Sequence, residues 1–542
     1  MRNFLGVIRQ AKGNNLNIKE IEQEIDAAFE SNDLTSIPYS QAIWELLSYL
    51  EYKYYELSVS DGSTHDKAAG VDNMINFITH PLRVCFNKCK RRKYALTTSF
   101  SQDNANAAHE WYGKSYDYNQ FCSIFPLAHR KELSIEVAGC ELKTDKDWSN
   151  GVPYEAYNRF VHKTGTNERS NVDTAAILDT VKDHTFCFDN KFAISWNEPL
   201  SKSVVGIFEK SQKVRYHLPD SWAFSRFTLG EFRKIFVAIS GLCYARYAAT
   251  TVSSDDLPNA GYAQRVWVIS KNEFVRILVE VTGYERTRVL AVLEYLTFGS
   301  MGINYPDAAT QPLFDCEDGN YAISPFLFIN SDAERNACAL LNQIAADKAI
   351  YASLVDEKES LLYDDLEKEL SALGYRCESG KVSGTDLDLA IIDDINKVVL
   401  TVELKWFIEP AEIREVNQRS QEIKKGIGQA KIISSLLQSH DLNLYQNTLK
   451  ISNDYRHYSI VGSFNWIGSD RIQDMEVPVI KVGHLLGLIK GRSSLAAVIE
   501  NLKERSYLPT PEKDYKVVPF YVKSGDWRCE WYGLKSLDDI ST

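Results

Sequence analysis

The neighbouring runs TDLDLAIID (385–393) and KVVLTVELKWF (397–407) each place charge at alternate positions within apolar sequence. Side chains on a strand alternate between faces, so Asp386 and Asp388 share one side, as do Glu403 and Lys405. Leu387, Leu389 and Ile391, with Val398, Leu400, Val402, Leu404 and Trp406, form the apolar side. DDIN at 393–396 supplies a turn, and an antiparallel hairpin then brings the carboxylates and the ammonium together on the surface opposite the core. Such a set suits a hard divalent cation. Mg2+ prefers oxygen and keeps several waters, so one or two carboxylates and a substrate phosphate are enough to hold it. The bound metal acidifies water and offsets charge on phosphorus oxygens, and a lysine beside it can orient that water.

A lone E-x-K on a strand is usually an ordinary solvated pair. The surroundings change that balance. Upstream, KESLLYDDLEKELSALGYRC reads as an amphipathic helix closing at Gly374. Downstream, PAEIREVNQRSQEIKKGIGQAKIISSLLQ reads as a long helix carrying Gln429 and the basic Lys424, Lys425 and Lys431. HYSIVGSFNWIG and VPVIKVGHLLGLI then supply two more apolar strands and a helix.

This order of helix, D-x-D strand, E-x-K strand, helix with glutamine, and two strands resembles the PD-(D/E)xK phosphodiesterase superfamily, which includes restriction endonucleases and Holliday-junction resolvases. The resemblance covers about a quarter of the chain. It implies an α/β/α restriction-endonuclease-like domain that uses Mg2+ or Mn2+. By position, Asp388 is the first metal ligand, since with Gly384 it fits a G-x-x-x-D-apolar strand; Glu403 is the second ligand and Lys405 the catalytic lysine. Asp386 assists or substitutes as a metal ligand, and Gln429 takes the place of a catalytic helix glutamine. Two features depart from the pattern. Thr385 and Leu387, not proline, precede the aspartates, and the helix glutamate of many members has no clear counterpart. Glu357 and Asp364, seven positions apart on one helical face, are candidates, with a plain structural charge the simpler reading of each.

The remaining chain must position that site. A length of 542 residues calls for several domains. The sequence divides into a mostly helical region of unknown role (1–225), a helical, winged-helix-like segment (226–345) and the nuclease-like domain (346–542). IKEIEQEIDAAF and QAIWELLSYLEYKYYEL read as helices, SVSDGSTHDKAAG as a loop, and 100–225 shows no clear organisation. In the middle segment, Ser270 with Glu273 and Thr282 with Glu285 match capping boxes of two short helices joined at Gly283. A hairpin follows, so the segment resembles a winged helix. Arg286 and Arg288 sit where a reading helix carries phosphate contacts, yet Asp315, Glu317 and Asp318 in the hairpin would repel phosphate. Packing is the better reading of this segment.

Hydrophobic residues make up 44% of the chain, as in a globular protein. The start has no apolar signal core and no long apolar run is visible, so no membrane partner is expected and a cytoplasmic location is. Ten scattered cysteines fit reduced thiols. His80, Cys85 and Cys89 could be imagined on zinc, but without a second ligand pair buried thiols are the better reading. The basic run KCKRRK (88–93) reads as a helix end, with phosphate contact the alternative. A net charge of −12 leaves a local basic groove open, and no phosphate-loop motif is present. The expected function is therefore a metal-dependent endonuclease acting on nucleic acid, DNA first, with an association to prokaryotic defence or restriction systems and their partner proteins. Oligomeric state is open, a homo-oligomer included. The rival reading is a catalytically inactive nucleic-acid-binding or scaffold protein on the same fold.

Overall fold

A computed structural model of the chain describes residues 17–61, 64–91, 95–149, 151–161, 172–212, 217–355, 357–382, 384–407, 413–470, 474–492 and 494–537. It is mixed α/β, with helix predominating. The chain forms two compact units. The first comprises Met1–Thr144, Arg169–Ala352 and Tyr521–Glu530; the second comprises Asp145–Glu168, Ser353–Phe520 and Trp531–Thr542. This differs from the three consecutive stretches expected from sequence, because one core spans the boundary expected after residue 225. In it Ile43, Trp44 and Trp111 pack with Tyr262, Phe314 and Phe326.

In the first unit, helices Ile18–Phe29, Tyr39–Val59, Thr64–Lys88 and Gln102–His129 lead the chain. The helix from Thr64 replaces part of the expected loop. Gln102–His129 escapes sequence reading because the small or polar Ala105, Ala108 and Ser115 line much of the first half of its buried stripe. Helix Leu229–Val252 is long and apolar enough to cross a membrane by length and composition, with a mean hydropathy of 1.3, and 78% of that window is buried inside the protein. Lys234 and Arg246 interrupt it, which is why no unbroken apolar run shows in the sequence.

Strand Trp267–Ser270, helices Lys271–Thr282 and Arg286–Leu296, and strands Leu313–Asp315 and Asn320–Ile323 follow, with Asn320–Ile323 central in a three-stranded antiparallel sheet. The Ser270 hydroxyl accepts the Glu273 N–H at 3.2 Å, as a cap should. The second expected cap is corrected. Thr282 ends its helix, donating to the Leu278 carbonyl at 2.6 Å, and Glu285 stands at the next N-terminus without a side-chain cap. Gly283 joins the helices at φ 73, where a side chain would be strained. Arg286 donates to Asn272, and Arg288 pairs with Glu231 at 3.1 Å. In the hairpin, Glu317 pairs with Arg91, and Asp315 with Lys271. Both arginines are thus engaged within the protein. A separate two-stranded hairpin, Thr185–Phe188 with Lys191–Ile194, lies in the same unit.

The second unit carries the two motif strands. Among its elements are α1 (Pro153–Phe160), α2 (Glu357–Ala372), β1 (Arg376–Val382), β2 (Thr385–Asp393), β3 (Val398–Lys405), α3 (Ile413–Gln438), β4 (Arg456–Ser463), β5 (Val479–Lys481), α4 (Val482–Gly491) and α5 (Leu495–Lys503). They build a five-stranded mixed sheet in the order β5-β4-β3-β2-β1. β1, β2 and β3 pair antiparallel, while β3, β4 and β5 run parallel. Leu389, Ile391, Leu400 and Val402 pack with Leu362, Leu366 and Leu370 of α2 and with Val498 and Leu502 of α5. Ile392 and Val399 meet Ile433 and Leu437 of α3. The motif hairpin is therefore a central part of a covered sheet, and seven of the eight β3 residues are buried.

Candidate active site

Pairing between β2 and β3 runs from Val398 opposite Asp393 to Val402 opposite Leu389. One step further, Glu403 would face Asp388, and there the regular ladder stops. The Asp388 carboxylate takes the Leu404 N–H at 2.8 Å. Glu403 projects beside it, 5% exposed, and its carboxylate accepts from the Lys405 ammonium at 2.7 Å. Lys405 also lies 3.8 Å from Glu359 of α2. The strand alternation that the sequence displayed thus brings Asp388, Glu403 and Lys405 together.

Electrostatics follow from this crowding. Burial, and then the Asp388 carboxylate, push the Glu403 carboxyl up to about 7, against the pull of Lys405. Burial likewise raises Asp388 despite the Leu404 N–H and the nearby ammonium. For Lys405, burial works against the charged form, but Glu403, Glu359 and Asp388 outweigh it and its affinity for the proton rises. The result is an ammonium held charged beside two carboxyl groups that resist ionising together.

Asp386 is exposed, and its backbone pairs with Lys381 of β1. Among the described residues no group of three His, Cys, Asp or Glu side chains could together hold a metal, so Asp386 does not complete a three-ligand cluster with the other two. Two positions along a strand are separated by about 6.6 Å, which accounts for the gap. Gln429 of α3 is half-buried. It lies on the same side of α3 as Gly426, three residues earlier, where an added Cβ would stand 3.3 Å from the Lys405 side chain and 3.5 Å from that of Glu403. Lys424 and Lys425 are exposed, and Lys431 is tied to Asp474 at 2.7 Å.

Glu359 is the residue that sequence reasoning missed. Glu357 and Asp364, the two helix candidates, are exposed, and Glu359, itself 48% exposed, reaches to 3.8 Å from the Lys405 ammonium. Glu359 continues the stripe of Leu362, Leu366 and Leu370, the face with which α2 covers the sheet. That periodicity was the available signal. Elsewhere, His80 bonds Asn119 at 3.0 Å, and burial lowers its imidazole to about 4, while Cys85 and Cys89 are buried thiols. Lys88 pairs with Glu30, and Arg91 lies over the Tyr39 and Phe86 rings. Arg92 and Lys93 lie outside the described residues.

No family model, curated protein or solved structure matches the chain. Function rests on the site's own chemistry.

The donor set fits a divalent cation of the Mg2+ or Mn2+ type. Asp388 and Glu403 offer hard oxygens side by side, and the burial that raises both carboxyl groups, with the further push of Asp388 on Glu403 and of Asp386 on Asp388, is what a cation relieves.

Proposed function

We propose that the chain is a metal-dependent phosphodiesterase that hydrolyses nucleic acid, DNA in the first instance, with Asp388 and Glu403 holding Mg2+ or Mn2+. The observation that carries this reading is the Asp388–Glu403–Lys405 group at the point where β2 and β3 stop pairing. When bound, the cation would supply an acidified water and charge neutralisation at the phosphate. Lys405, held charged by three carboxylates, would donate to a phosphate oxygen or orient the attacking water. Glu359 would keep the ammonium aligned from the α2 side, and Gly426 leaves the room in which α3 lies against the pair. The sheet order with α2 and α5 on one face and α3 on the other supports the restriction-endonuclease-like reading of this unit. The fit to prokaryotic defence, its partner proteins and a cytoplasmic setting rests on that resemblance alone.

The test is to incubate the full chain with labelled DNA and RNA in Mg2+, Mn2+ or EDTA, beside a Lys405→Ala variant. Cleavage by the parent chain in metal only, abolished in the variant, is the expected result. Undiminished cleavage in EDTA or in Lys405→Ala refutes the mechanism.

A further inference from the structure

The hairpin Thr185–Phe188/Lys191–Ile194 has one face committed and one free. Phe192 and Ile194 are buried, and Phe192 lies beneath the Arg246 guanidinium. On the other face Phe186 and Phe188 are 47% and 49% exposed. Ala193 stands opposite Phe186 and Lys191 opposite Phe188, so both join that face. Two half-exposed phenylalanines on a four-residue strand do little for packing, and polar residues would serve a solvated hairpin better. Two adjacent rings left half-exposed on one face offer an apolar platform to a ligand.

Ring geometry indicates what binds. The Phe186 and Phe188 centroids are 5.7 Å apart with an interplanar angle of 29°. A planar base stacked between two rings needs about 3.4 Å on each side, or about 6.8 Å in all, the base-stacking rise of one strand. The natural separation of positions i and i+2 on a strand is about 6.6 Å, so opening by about 1 Å admits one heterocycle without moving the backbone. Lys191, beside Phe188, supplies a cation for the adjoining phosphate. Asp183 and Asp189 flank the hairpin, which disfavours a densely charged duplex backbone and leaves stacking as the main contact. We propose that this hairpin binds an unpaired nucleotide of single-stranded nucleic acid by stacking its base on Phe186 and Phe188. The proposal rests on the phosphodiesterase reading for its choice of ligand and extends it to a preference for substrates with single-stranded character.

The experiment measures anisotropy of a labelled oligothymidylate with the full chain carrying Lys405→Ala, in EDTA, so that nothing is cleaved. Phe186→Ala with Phe188→Ala should weaken binding about tenfold or more, the loss expected for one stacked base, with duplex of the same length unaffected. Phe186→Leu with Phe188→Leu keeps apolar volume, guards against a folding artefact and should lose as much. Lys191→Ala should make the logarithmic salt slope shallower by about 0.7. Unchanged single-strand affinity in the leucine pair overturns the proposal, as does equal weakening of single strand and duplex. A shift in oligomeric state with unchanged oligonucleotide binding assigns the face to self-association and also overturns it. The phosphodiesterase reading fails separately, by absence of metal-dependent cleavage in the parent chain, and these affinities are read without cleavage.

Discussion

Replacing Glu403 by glutamine removes one titration from the buried end of β3, and pH reveals what that titration costs. In the folded chain the Glu403 carboxyl is pushed up to about 7 from its ordinary 4.5. The native state therefore holds this proton more tightly than the unfolded chain does. Below pH 4.5 both states are protonated and the site costs nothing. As pH rises towards 7, the unfolded chain ionises first, and stability falls by about 1.36 kcal/mol per unit, about 3 kcal/mol once pH exceeds the folded value. Glu403→Gln also removes the attraction to Lys405, which exists only once the carboxyl ionises and is already contained in the folded value of about 7. The pH dependence of the difference between the two proteins thus isolates the carboxyl. Thermal unfolding in EDTA, followed by tryptophan fluorescence from about pH 5 to pH 8, should show the variant gaining about 3 kcal/mol on the parent. Mg2+ at 100 times its dissociation constant should restore about 2.7 kcal/mol to the parent at pH 8, and much less to the variant. Parallel pH profiles, or equal stabilisation by Mg2+, would refute the account of a carboxyl strained by burial and by Asp388.

Gly426→Ala should slow cleavage about tenfold while melting changes by no more than about 1 kcal/mol, because the added Cβ displaces Lys405 by a few tenths of an ångström and alanine favours the helix. An unchanged kcat would show that α3 does not constrain the lysine. Glu359→Gln should lower cleavage by about 10- to 100-fold through loss of Lys405 alignment, whereas Asp364→Asn should leave it intact; cleavage rates of the two variants side by side decide the point.

The motif strands were legible because a period of two records which side each residue faces, and Asp388, Glu403 and Lys405 sit together as that period requires. The same period does not report how many layers cover a sheet. Thr401 and Ala390 share the alternation of Glu403 and Asp388, yet both are buried: α3 packs against Ala390, and Thr401 satisfies its hydroxyl on Ser459 of β4 at 2.7 Å. Glu359 went unread because its partner Lys405 is distant in sequence and helix acids are common on exposed faces. The 100–225 stretch was opaque for a further reason. Its helices bury tyrosine, serine and alanine alongside large apolar groups, and the hairpin Thr185–Phe188/Lys191–Ile194 turns its phenylalanines outward. The residues named for capping show the limit at finer scale: Ser270 caps as read, while Thr282 satisfies its own helix backwards.

Helix α1 makes the second unit discontinuous in sequence. The Tyr157 hydroxyl meets His484 at 2.9 Å, the Lys481 ammonium reaches the Val161 carbonyl at 2.6 Å, and Asp470 accepts the Tyr154 N–H at 2.9 Å. During synthesis α1 leaves the ribosome long before the sheet it belongs to exists, so it must wait, amphipathic and unpartnered, until β5 and α4 arrive. The sheet that α1 joins is complete only once Val479–Lys481 has been made, and a chain terminated before Asp388 would carry the helix without the carboxylates. Transplanting the region from residue 345 onward into another protein would likewise leave Tyr157's partners open, whereas a graft that also supplies 145–161 would carry its own closure.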